Sequence, residues 1–282
     1  MDIEYETKTK NKVNKKENKG VSESKGKVNC ANTPKNKNEN VLSLDSTTFT
    51  QAWQETLDDA SPYMPTKSTL PSLVIPIPDR EDCLIISDNE YFYSPQRTFA
   101  TLRSYEQVFE AFDYVLWSRA IRHFNFAGAK LLPMANRTSC LFPVFSSIHH
   151  ALWINPLKIH DFKETDGLNR LIMTDGTLVE TLVSRHTLNA RASYALLALA
   201  TIRRDYLYTD ILGERPLDYL NMPNTPYLRL LSRSKKLHTF TVPVNDFKKQ
   251  YEFQQMAREI TNLIRRGRDN RFDTDSLKKF FE

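Results

Sequence analysis

Between Leu141 and Ser184 apolar and polar positions alternate in short runs, LFPVFSS, ALWINPLKIHDF, LNRLIMT and TLVETLVS, separated by turn residues. A period of two puts successive side chains on opposite faces of a half-buried strand, so the stretch predicts an antiparallel β-meander. Asp175-Gly176 reads as its closing two-residue hairpin turn, since that turn needs positive φ at both central positions, and Asp166-Gly167 as the turn before it. Two further β-prone runs, CLIIS from Cys83 and EYFYS from Glu90, predict a hairpin around Asp88-Asn89.

Elsewhere the period lengthens to that of a helix. Ser104 and Gln107 have the form of a capping box, and Tyr105, Val108, Phe109, Phe112, Leu116 and Ala120 follow at helical spacing, predicting one helix from about Tyr105 to His123. After the meander, Thr187 or Asn189 caps ARASYALLALATIRR. Its apolar residues Ala192, Ala195, Leu196, Leu199, Ala200 and Ile202 cover so much of the circumference that the helix is expected under the sheet. A last helix is predicted from about Asn245 to Arg266, with Phe247, Tyr251, Met256, Ile260 and Ile264 on one stripe. The fold class is therefore α+β: an antiparallel β-meander packed against helices, with a disordered N-terminal tail and a helical C-terminal extension.

The boundaries come from composition. Residues 1–40 are Lys, Asn, Glu, Ser and Thr with almost no large apolar side chain, too little to offset the entropy of ordering. From 41 to 80 the prolines at 62, 65, 71, 76 and 78 suit an extended connector. The main domain is expected over 81–206. A looser extension, 207–282, is interrupted by Pro216, Pro223, Pro226 and Pro243, carries a basic knot, RSKK, at Arg233 to Lys236, and ends in the long helix.

Several classes of function fall away. Cys30, Cys83 and Cys140 are far apart, with neither the even count of a disulfide framework nor the close pairs of a zinc site, and read as free thiols in a reducing compartment. No run approaches the roughly 20 apolar residues of a membrane span, and the lysine-rich N-terminus lacks the apolar core of a secretory signal, so a cytoplasmic protein without a membrane is expected. With seven glycines the chain has no glycine-rich phosphate loop, and no cofactor or metal is called for. Ser146, Ser147, His149 and His150, with His160 and Asp161 beyond, form the densest polar cluster. A hydrolase could use Ser146 as nucleophile and His149 as base, but neither G-x-S-x-G nor H-E-x-x-H is present, and an enzyme is not expected.

The charge balance permits a polyanionic partner without selecting one. The net charge is +5 and the isoelectric point near 8.9. Lys158, Lys163, Arg170 and Arg185 lie on or beside the meander, and Arg119, Arg122, Lys130, Arg191, Arg203 and Arg204 on the flanking helices. These ten are expected to form one positive face for nucleic acid. The bland alternative is a set of solvated surfaces, and cations at a helix C-terminus, as at Arg119, Arg122 and His123, also have a structural use. Trp153, alternating with apolar neighbours, reads as core, not as a stacking platform.

The run from Leu141 to Tyr206 resembles the ComK family of competence transcription factors. The family's phenylalanine-proline-threonine segment ending in serines is similar to Phe142-Pro143-Val144-Phe145-Ser146-Ser147, with Val144 in the threonine's place. Its tryptophan-isoleucine pair, alternating strand and phenylalanine are similar to Trp153-Ile154 through Phe162, with Ala151 where a cysteine is usual. A glycine turn with glutamate four residues on matches Gly176 and Glu180. Upstream, Trp117 to Pro133 resembles the family's glycine-arginine segment leading to a lysine and proline; Ser118 replaces the glycine, and Arg119 and Lys130 take matching positions.

The resemblance covers about a third of the chain. It implies a bacterial activator that binds A·T-rich double-stranded DNA, largely through the minor groove, and switches on DNA-uptake genes, nucleoid-associated in the cytoplasm. It also implies a homo-oligomer on paired sites and leaves room for a regulatory or proteolytic adaptor as partner. The rival from another class is a protein-interaction adaptor whose basic face meets an acidic protein.

Overall fold

CLIIS is buried at every position, the mark of a strand covered on both faces rather than one that alternates. It forms an interior strand of the larger of two sheets in the computed structural model, which describes residues 42–66, 70–108, 112–124, 132–144, 150–165, 168–207 and 212–269. The early elements are β1 (Ser43–Asp45), α1 (Gln51–Asp58), β2 (Ser61–Pro62), β3 (Leu73–Pro76), β4 (Cys83–Ser87) and β5 (Glu90–Ser94). Next come α2 (Thr98–Val108), α3 (Tyr114–His123), β6 (Met134–Ala135), β7 (Cys140–Val144), β8 (Leu152–Ile154), β9 (Ile159–Thr165), β10 (Leu168–Met173) and β11 (Leu178–Thr181). The chain continues through α4 (Arg185–Ile202), α5 (Pro226–Leu231) and α6 (Asp246–Asp269).

The larger sheet runs β2-β5-β4-β3-β8-β7-β6 and the smaller β1-β11-β10-β9. Neighbours are antiparallel except β2 with β5 and β1 with β11. The α+β class holds, and the hairpin of β4 and β5 turns where expected: Ser87 faces Glu90, and Asp88 and Asn89 take φ of +44° and +70°, the backbone of a tight two-residue turn.

The predicted meander is divided between the two sheets. ALWINPLKIHDF is two strands, because the Asn155 side chain accepts from the Leu157 amide at 3.0 Å and Pro156 opens a single 3-10 turn. Upstream of that turn β8 pairs with β7 and β3; downstream β9 opens the smaller sheet. The turn at Asp175-Gly176 also differs from expectation. Gly176 alone has positive φ, +88°; its amide donates to the Met173 carbonyl at 3.1 Å and Met173 donates to Thr177 at 2.9 Å. That is a three-residue loop in which glycine takes the left-handed position after an ordinary turn. Asp166-Gly167 lies outside the described residues.

The helix expected over 105–123 is two helices. Asp113 caps the second, its Oδ1 accepting from the amides of Val115 at 2.9 Å and Leu116 at 3.1 Å. Ser104 sits inside α2, where its hydroxyl donates to the Ala100 carbonyl at 3.3 Å. The later helix likewise starts earlier than read: Ser184, not Thr187 or Asn189, is the N-cap of α4, accepting from the Thr187 amide at 3.3 Å.

Residues 41–80 are not a connector. They supply α1, two strands of the larger sheet and β1, which pairs in parallel with β11; Trp53 on α1 is fully buried and donates to the Asp45 carbonyl at 2.8 Å. The prolines do not prevent this: α1 ends before Pro62, and Pro76 closes β3 at its last position. The region after 206 is part of the same body as well. Tyr227, Leu228, Leu231, Leu237, Val242 and Phe247 belong to the common core with Trp117, Trp153 and the buried face of α4. Helix α4 packs on β7, α5 on β9 and α6 on α3.

Candidate nucleic-acid interface

The nine of the ten cations that lie among the described residues separate into fasteners and surface groups. Arg204 is buried: its Nε donates to Asp205 Oδ1 at 2.7 Å, its other nitrogens to the carbonyls of Val242 at 2.9 Å and Pro243 at 2.8 Å, and its guanidinium stands 4.2 Å from the Phe240 ring centroid. Asp205 Oδ1 in turn accepts from the Asn245 amide at 3.2 Å, so the pair clamps the end of α4 to the start of α6. Arg203 donates to the carbonyls of Arg137, Thr138 and Tyr219. Arg191 donates to the Pro143 carbonyl at 2.7 Å, and burial holds its guanidinium below the usual arginine range. On the smaller sheet Arg170 pairs with Glu180 opposite at 2.9 Å, while Lys158 is paired with Asp88 at the β4–β5 turn.

The single positive face expected from the sequence therefore does not assemble from these ten. Arg185 and Arg203 stand at opposite ends of α4, about 27 Å apart at 1.5 Å per residue. Half of the predicted contacts serve intramolecular carbonyls and carboxylates. The others are exposed: Arg119 and Arg122 on α3, Lys163 on β9 and Arg185 on α4. Lys130 lies outside the described residues.

The exposed cations that do gather are at the first turn of α4. Arg185 stands 5.8 Å from the ring centroid of Phe162, the residue before Lys163. Beside it runs a groove of about 300 Å³, lined by His186, Asn189, Ala190 and Ser193 of α4 and by Leu230, Leu231, Arg233, Ser234 and Lys236 across from them. None of these lining residues is acidic. Lys236 holds its ammonium 4.1 Å from the Tyr194 ring centroid, an arrangement that fixes the charge at the groove without neutralising it. The first turn of α4 has no acidic residue, although the positive end of a helix dipole favours acids and disfavours cations. His186 and Arg233 were not among the predicted site residues. The RSKK run is legible as a basic cluster; its position across from His186 and Asn189 depends on α5 reversing the chain against β9.

Most of the alternative polar cluster lies beyond what the structure describes. Ser146, Ser147 and His149 lie outside the described residues. His160 is exposed on β9, the Asp161 carboxylate accepts from the next backbone amide at 2.8 Å, and His150 lines a separate cleft of about 430 Å³ with Asp79, Arg80 and Glu81. Among the described residues no group of three His, Cys, Asp or Glu side chains comes together to hold a metal ion, and no helix is long and apolar enough to cross a membrane. Cys83 and Cys140 are buried free thiols; burial pushes Cys83 up to about 12 and raises Cys140 as well. No model of a known protein family, no curated protein and no solved structure matches this chain.

Proposed function

We propose that the chain is a DNA-binding transcriptional activator of the competence type, holding A·T-rich promoter duplex by its phosphates with the cations gathered at the start of α4. The observation that carries the reading is electrostatic. Arg185 and His186 occupy the positive end of an 18-residue helix, and Arg233 and Lys236 face His186 across a groove with no acid in its lining that runs beside Arg185. Such an arrangement repels itself until an anion arrives, and adjacent helix amides add donors for phosphate oxygens. Lys163 and Arg185 extend the strip onto the smaller sheet, and Arg119 and Arg122, exposed on α3, engage a further stretch of backbone.

The class of anion comes from the resemblance to the competence factors. Narrow A·T tracts concentrate negative potential in the minor groove, where arginine is the favoured probe, and their stiffness supplies specificity without many base contacts. The target genes on this reading are those for DNA uptake. Fluorescence anisotropy with A·T-rich and G·C-rich duplexes of equal length tests it. Tighter binding to the A·T-rich duplex, weakening steeply with salt, is the predicted result; equal binding to both, or binding indifferent to salt, contradicts it.

A further inference from the structure

Helix α6 leaves the body halfway along its length. Phe247 and Tyr251 are buried against α3, the Tyr251 hydroxyl accepts from the Asp113 amide at 2.9 Å, and Arg258 pairs with Asp113 at 2.9 Å. From Arg258 to Arg266 every residue is exposed. A helix polar all round could stand free in this way, but this one carries an apolar stripe. Phe253, Met256, Ile260, Leu263 and Ile264 are 44–57% exposed. Phe253, Met256, Ile260 and Leu263 repeat with alternating steps of three and four, the narrow seam of a coiled coil rather than the broad face of a membrane-surface helix. With successive residues about 100° apart, this seam points roughly opposite to the side that carries Phe247, Tyr251 and Arg258.

We infer that this seam pairs with the same seam of a second copy of the chain, antiparallel about a two-fold axis near residue 258. Two features select that occupant. The self-complementary register sets Phe253 opposite Leu263 of the other copy and Met256 opposite Ile260, so that every layer joins a large apolar residue to a large apolar residue. Along one flank lie Glu252, Glu259 and Arg266, and antiparallel pairing brings Glu252 against Arg266 of the other copy twice over. Parallel pairing gives no such ion pair and aligns the two helix dipoles. Four layers of half-exposed side chains make an interface smaller than the standard size of about 1,600 Å², which fits a weak, concentration-dependent dimer. Burial of the seam also answers why a helix exposed all round persists, since an isolated segment of this length is marginal in water.

The register makes an asymmetric prediction about charge. Glu259 meets Glu259 of the other copy at the two-fold axis, so Glu259→Gln should tighten the dimer severalfold, whereas Glu252→Arg should loosen it about tenfold. Adding Arg266→Glu to Glu252→Arg should restore the affinity. Ile260→Asp should leave the fold and its melting temperature intact and the chain monomeric. Sedimentation equilibrium of the full chain without DNA, over a concentration series, reads all four variants and is independent of whether the protein binds DNA. A wild-type chain that is monomeric at about 100 µM, an Ile260→Asp chain that still dimerises, or a reversed pair that fails to restore affinity overturns the pairing.

Discussion

A single arginine shows how far a charge count stands from a binding surface. Arg204 spends its donors on Asp205, Val242 and Pro243, and its removal leaves the Asp205 carboxylate buried without its cation. We predict that Arg204→Ala costs about 3–5 kcal/mol in chemical denaturation, while Arg185→Ala, at an exposed site, costs under about 1 kcal/mol. Asp113 carries a different load. Burial pushes its carboxyl up, but the Leu116 amide and the Arg258 guanidinium outweigh that, and it titrates below the ordinary carboxylate range. Its contribution is thus complete above about pH 4 and fades as pH falls through the lower folded value. Asp113→Asn, which keeps a capping oxygen but no charge, should remove that part of the acid sensitivity; an unaltered stability profile between about pH 4 and 2 would refute the assignment. Cys83 and Cys140 should resist a thiol reagent until the protein is unfolded.

Among the elements, the four-stranded sheet depends on local chemistry at its ends. Gly176 has nothing within 4 Å of where a Cβ would stand, yet takes φ of +88°, so Gly176→Ala should cost about 1 kcal/mol for backbone conformation alone. A melting temperature equal to wild type would show that the turn tolerates the substitution by changing its backbone. Helix α4 joins both halves of the functional reading: its buried interior carries the core, its first turn lines the basic groove, and the turn that follows its end anchors α6 through Arg204 and Asp205. A substitution at the first turn should therefore alter ligand binding and spare stability, and one at the following turn should do the reverse.

For the molecule as a whole, much of the fold is legible in the chain. The β4–β5 hairpin follows from Asp88-Asn89 between two apolar runs, and α4 and α6 lie within a few residues of their patterns because long periodic segments carry their own signal. Two kinds of information are not local. Whether ALWINPLKIHDF is one strand or two is decided by the side chain of Asn155, and the membership of 41–80 by the burial of Trp53 and the parallel pairing of Ser43–Asp45 with β11. The site follows the same division. Arg185 and the RSKK run are visible as charges, but the carboxylate and carbonyls that occupy Lys158, Arg191, Arg203 and Arg204 lie largely on distant segments, and only the folded chain separates fasteners from surface cations.

The claim that the α4 groove grips phosphates is tested most directly by the salt dependence of binding to one A·T-rich duplex, measured for the wild type and for Arg185→Ala with Lys236→Ala. Each lost phosphate contact should reduce the slope of log affinity against log salt by about 0.9. The account predicts that the double variant binds more weakly with a slope shallower by nearly 2. An unchanged affinity and slope in a folded double variant would contradict it.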